Sequence, residues 1–105
     1  MENVNEKSKA IRAEQLMRVA DILKAISHPV RLSILEMLGE KGAMSVSDIQ
    51  EGTGIEQSLL SHHLIKMTDK GELTCQRDGK NRFYELTDPH IIKIFECMES
   101  CQLIM

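Results

Sequence analysis

At 105 residues, 42% of them hydrophobic and 28% charged, with two prolines and six glycines, the chain reads as one globular domain, and no apolar stretch approaches the ~20 residues of a membrane-spanning helix. A formal net charge of −3 argues against nonspecific adhesion to nucleic acid, and three unevenly spaced cysteines do not make a disulfide framework. The opening MENVNEKSK has no apolar signal core, so the expectation is a cytoplasmic protein with reduced thiols and no membrane partner.

Residues 1–9 are polar and are expected to form a flexible N-terminal segment ahead of a single domain over residues 10–105. Ile11, Leu16, Val19, Ala20, Leu23 and Ile26 then follow helical spacing, which predicts a first amphipathic helix. It stops at Ser27-His28-Pro29. Proline is favoured at the first position of a new helix, and that second helix carries Val30, Ile34, Leu35 and Leu38 inward until Gly39.

The stretch SVSDIQEGTGIEQSLLSHHLIKMTDKG, residues 45–71, reads as helix, short turn, helix. Ser45 or Ser47 caps the first, Gly52 and Gly54 break the chain, and Leu60, Leu64 and Met67 stripe the second until Gly71. Two helices joined by a glycine-bearing turn form the helix-turn-helix pattern. After Gly71 the apolar period drops to two. Leu73 and Cys75 alternate with polar neighbours, Asp78-Gly79 signals a turn, and Tyr84 and Leu86 alternate on the return, which predicts a β-hairpin. Asp88 then caps a last helix that opens at Pro89 and sets Ile91, Ile94, Phe95 and Met98 on one face.

The predicted fold is mainly α with a small β part (α+β), a winged helix-turn-helix in the order α-α-α-α-β-β-α. Leu16, Val19 and Leu23 on the first helix, and Ile91, Ile94, Phe95 and Met98 on the last, make faces wider than so small a core can cover. They are expected to pair with a second copy in a two-fold homodimer.

The adjacent histidines of SLLSHHLIKM raise the functional question. With 100° per residue and Leu60 at zero, Leu64 lies at about 40°, Met67 at about 340° and His63 at about 300°, whereas Ser58 lies at about 160° and His62 at about 200°. His63 therefore borders the buried stripe, where a histidine with a bonded ring nitrogen is a packing residue. His62 points outward. On a recognition helix the outward N-terminal side chains enter the major groove, so Gln57, Ser58, Ser61 and His62 are candidates to touch bases or phosphates; the alternative is an ordinary solvated polar face. Arg77, Lys80, Asn81 and Arg82 crowd the hairpin turn and, with Lys66, suit neighbouring phosphates, which tips the balance towards double-stranded DNA as partner. Glu56, at the head of the same helix, suits the helix dipole but would repel a phosphate.

The segments LKAISHPVRLSIL, SDIQEGTGIEQSLLSHHL and RDGKNRFYEL followed by Asp88 together resemble the ArsR/SmtB family of bacterial repressors, over about Leu23 to Cys101. The resemblance implies a homodimer joined through its first and last helices that binds a palindromic operator and releases it when an inducer binds. It also implies DNA contacts at Gln57, Ser58, Ser61 and His62 and at the basic wing tip. Glu56 stands where many members have a capping serine, which leaves that cap open.

The resemblance also directs the search for an inducer site. The family's Cys-x-Cys thiolate pair corresponds to Ser45 and Ser47, and serine is a poor ligand for a soft metal. Its Asp-x-His and His-x-x-Glu set corresponds to Asp88, His90, Cys101 and Ile104, so a metal site would use Asp88, His90 and Cys101. On one continuous helix His90, Cys97 and Cys101 fall within about 40° of one another. Cys97 and Cys101 can bind metal, form a disulfide or persulfide link, or pack at a seam, and the three readings stay open. No cofactor is required; zinc or another transition metal enters only as an effector. No catalytic residue is assigned, because no general base stands beside an open metal position and no His-Glu-x-x-His occurs. A winged-helix module that dimerises and binds proteins instead of DNA is the competing expectation.

Overall fold

The computed structural model describes residues 6–101. Helix α1 spans Glu6–Ile26, α2 Pro29–Lys41, α3 Val46–Thr53 and α4 Gln57–Asp69; strands β2, Leu73–Asp78, and β3, Asn81–Leu86, form the hairpin, and α5 covers Ile92–Glu99. Two features were not anticipated. A two-residue strand β1, Met44–Ser45, precedes α3, and a single 3₁₀ turn, Pro89–Ile91, precedes α5. The α1 helix also opens at Glu6, so residues 6–9 of the segment expected to be flexible are helical, while residues 1–5 lie outside the described residues.

Local chemistry sets most boundaries. Pro29 stands in the first turn of α2, where its missing N–H costs nothing, and the His28 ring caps that helix by accepting the Val30 N–H at Nδ1, 3.1 Å away. Ser45 rather than Ser47 caps α3, accepting the Asp48 N–H at 3.1 Å. Gly52 lies inside α3; the chain leaves the helix at Gly54, whose N–H bonds the Gln50 carbonyl. In the hairpin Asp78 pairs with Asn81 across a two-residue turn, and Gly79 takes φ 68°, a value open to glycine at the first central position of a type II′ turn.

The sheet is antiparallel in the order β1-β3-β2, with Met44 opposite Tyr84 and Cys75 opposite Tyr84 on the other side. Ile34, Leu35 and Leu38 of α2, Ile49 of α3 and Leu60, Leu64 and Met67 of α4 are buried, and Leu73 and Tyr84 close the core from the hairpin. The alternation in β2 and β3 thus serves one buried face, as a half-covered sheet requires. α5 is docked on α2 at Gly39. A Cβ there would overlap Ile92 Cδ1, so the glycine makes room for the isoleucine side chain.

The outer helices carry apolar surface that the core does not cover. Leu16, Val19 and Leu23 of α1 are exposed, as is Met98 of α5. Ile91, Ile94 and Phe95, expected at a seam, are half-buried because they already pack on the chain's own core. Among the described residues no helix is long and apolar enough to cross a membrane.

Candidate nucleic-acid interface

α4 presents two unlike faces. Leu60, Leu64 and Met67 are buried, and His63, at 5% exposure, is buried with them. Gln57, Ser58 and His62 are exposed on the other side, Lys66 is exposed a turn further on, and Ser61 is half-buried on the shoulder between the faces. Ser61 is therefore the least open of the four residues expected to read bases. The two histidines, neighbours in sequence, have ring centroids 5.5 Å apart in an edge-on arrangement and belong to different environments.

Glu56 turns out to be the cap of α4. Its carboxylate accepts the Ser58 N–H at 3.3 Å and the Leu59 N–H at 3.2 Å, two of the orphan donors of the first turn. The Ser58 hydroxyl donates to the same carboxylate, 2.7 and 2.8 Å from its two oxygens. These bonds, the Ser58 hydroxyl first and then the Leu59 and Ser58 amides, hold the Glu56 carboxyl below its ordinary value, so it is anionic at neutral pH. Ser58 can therefore offer a base only its lone pairs unless its hydroxyl turns away from the Glu56 carboxylate. Sequence reasoning registered the charge of Glu56 but missed this use of it.

Arg77, Lys80, Asn81 and Arg82 are all exposed at the end of the hairpin. Arg77 and Arg82 stand directly opposite each other in the β2–β3 register. Like charges facing across two strands destabilise the pair by a few tenths of a kcal/mol or more, a cost that an anion between or beside them would reverse. A local rule broken at an exposed tip fits a binding role better than a folding role.

The proposed effector residues are partly assembled. His90 Nδ1 lies 2.8 Å from Asp88 Oδ1, and the same oxygen accepts the His90 N–H at 3.0 Å, capping the 3₁₀ turn. These bonds, the backbone one first, hold the Asp88 carboxyl below its usual value. Cys97 is exposed and Cys101 half-buried, both as free thiols. The single continuous helix assumed for His90, Cys97 and Cys101 is absent: His90 belongs to the 3₁₀ turn and Cys101 follows the α5 cap at Ser100. The angular match drawn from that helix does not hold. Among the described residues no three histidine, cysteine or acidic side chains converge as a metal set.

One residue here escaped sequence reasoning altogether. Arg31, in the first turn of α2, donates from Nε to His63 Nδ1 at 3.1 Å and from Nη1 to the Ala25 carbonyl. The only signal was a charged residue set between Val30 and Leu32 at the start of an apolar helix.

Comparison with known proteins extends these observations. Residues 26–74 match the family model for a helix-turn-helix domain. The chain is similar to the HTH-type transcriptional regulator NmtR of Mycobacterium tuberculosis, 32% identical over 91% of this chain and 79% of the relative. It is likewise similar to the HTH-type transcriptional regulator YgaV of Escherichia coli, 34% identical over 79% of this chain and 84% of that one. Its fold is similar to the crystal structure of the transcriptional repressor BigR from Xylella fastidiosa, with a TM-score of 0.78 at 30% identity, covering 90% of this chain and 98% of that one. Such coverage carries the likeness past the helix-turn-helix into the wing and outer helices.

Proposed function

Because this chain belongs to the ArsR/SmtB family of winged-helix transcriptional regulators and is a DNA-binding regulator of that kind, we propose that it represses transcription as a homodimer on a palindromic operator. Gln57, Ser58, Ser61 and His62 would read base edges in the major groove, while Lys66, Arg77, Lys80, Asn81 and Arg82 would hold phosphates. The observation that carries this reading is the division of α4, whose polar N-terminal side stays exposed while its other side fills the core. The uncovered apolar residues Leu16, Val19 and Leu23 of α1, and Met98 of α5, support pairing through these two helices, with recognition helices about 34 Å apart on one face of the duplex.

The effector side of the proposal rests on the Asp88–His90 pair and the Cys97 and Cys101 thiols. Zinc or another transition metal, bound with donors of the second protomer, and a sulfur-reactive oxidant are the two classes this chemistry takes. Gel shifts with DNA from the protein's own upstream region at moderate salt test the repressor reading, and the same titration with zinc, oxidant and sulfane sulfur tests the effector. A dimer that shifts no DNA and leaves transcription unchanged would refute the first. Unchanged affinity with all three agents would refute the second and leave packing as the role of the two cysteines.

A further inference from the structure

The last turn of α1, the first turn of α2 and the middle of α4 meet at His28, Arg31 and His63, to which no DNA contact has been assigned. Arg31 reaches in two directions. Its Nη1 donates to the Ala25 carbonyl, in the last turn of α1 where helical carbonyls lack partners, and its Nε donates to His63 Nδ1 at 3.1 Å. His28 completes the packing with its ring centroid 4.5 Å from that of His63, its own Nδ1 occupied by the Val30 N–H. A guanidinium only donates, so His63 Nδ1 must present a lone pair. The ring is therefore neutral, with its proton on Nε2.

We propose that Arg31 is a positioning residue for DNA binding: through neutral His63 it ties the recognition helix α4 to the end of α1, and the tie is lost when His63 takes up a proton. The inference rests on the reading of α4 as the helix that enters the groove. A second proton on His63 has only Nδ1 to occupy, and there two donors would face each other with no acceptor between them. The charged or chargeable groups acting on His63 are all cationic in their charged forms: His28 at the α1–α2 junction, Arg31 on α2, and His62 and Lys66 on α4 itself. Glu72, at the entry to β2, acts on Arg31, and burial pushes its carboxyl towards the neutral form. Burial of the ring, then these neighbours, oppose the imidazolium. Recognition by base edges tolerates displacements of only about 0.5 Å, so a helix released from this tie reads DNA poorly before it unfolds. Since α1 carries the uncovered apolar residues Leu16, Val19 and Leu23, Arg31 also links that surface to α4.

The test is operator affinity as a function of pH, read by anisotropy with a labelled duplex from the protein's own upstream region, for the wild type and His63→Gln. Glutamine carries an amide oxygen to which Arg31 can donate, one bond further from the backbone than Nδ1, and takes no proton. The wild type should lose more affinity than His63→Gln between about pH 8 and 5.5, severalfold and at most about tenfold, because protonation of His63 is held below the ordinary 6.5. Taking the difference of the two curves cancels what other groups contribute. Arg31→Gln should weaken binding about tenfold at pH 8 while the protein stays folded by circular dichroism. Parallel curves for wild type and His63→Gln would overturn the proposal. Should His63→Gln fail to fold, ¹⁵N NMR of the wild-type imidazoles decides, since a His63 protonated on Nδ1 near neutral pH would overturn it too. A Gln57→Ala, Ser58→Ala double variant that binds as tightly as wild type would instead defeat the assignment of α4, and with it this inference.

Discussion

Replacing the two adjacent histidines one at a time separates folding from recognition. His63→Ala removes a buried ring and the acceptor of a bond from a guanidinium. A hydrogen bond to a charged group contributes about 1.5 to 3 kcal/mol, and the cavity left by the ring adds about 1 kcal/mol or more. The total, about 3 kcal/mol, is a large share of the ~5 to 15 kcal/mol that holds a small domain folded. At about 4 to 8 °C per kcal/mol the melting temperature should fall on the order of 15 °C. His62→Ala touches only an exposed ring, so its stability should stay within about 0.5 kcal/mol of wild type. Its operator affinity should drop about tenfold or more, the worth of one lost base or phosphate contact. Urea unfolding at fixed protein concentration, with an unchanged slope, measures the first effect and anisotropy the second. A destabilised His62→Ala that still binds DNA, beside a stable His63→Ala that does not, would refute the assignment of the two faces of α4.

Three other outcomes follow from the same geometry. Glu56→Ser retains a good helix cap while removing the negative charge at the head of α4, so operator affinity should rise severalfold with stability preserved, as anisotropy and thermal melting would show. Operator affinity should fall about a thousandfold between about 50 and 200 mM salt if about six phosphates are neutralised, and Arg82→Ala should flatten the log–log slope by about one per protomer. Acid should destabilise the fold through His63, whose protonation is opposed first by burial and then by His28 and Arg31. Because the folded-state value lies below the ordinary 6.5, this contribution is complete above 6.5 and is lost as pH falls below it through the folded value. Glu72 works the opposite way just above its ordinary 4.5, since burial raises its value and favours the protonated form on folding. Urea midpoints of wild type and His63→Gln against pH test this, and equal pH dependence in both would count against it.

Much of the architecture is written in neighbouring residues. Pro29 restricts its own backbone and Gly79 admits a positive φ, Asp88 caps the turn that begins right after it, and the period change after Gly71 reflects which side chains must face inward. The rotation of α4 follows from its own apolar stripe, because only one face of a helix can meet a small core at a time; hence His62 and His63 could be told apart before any fold was in view. Other features depend on how elements dock, and no local pattern announces them. Strand β1 is two residues long and exists only because β3 offers it a partner. The bond from Arg31 to His63 joins positions 32 residues apart. Gly39 matters because Ile92 comes to rest on it, and the run from His90 to Cys101 is not one helix face because the chain enters α5 through a 3₁₀ turn and leaves it before Cys101. Periodicity and backbone restriction act over a turn or two of chain, whereas these contacts are selected by the joint packing of helices far apart in sequence.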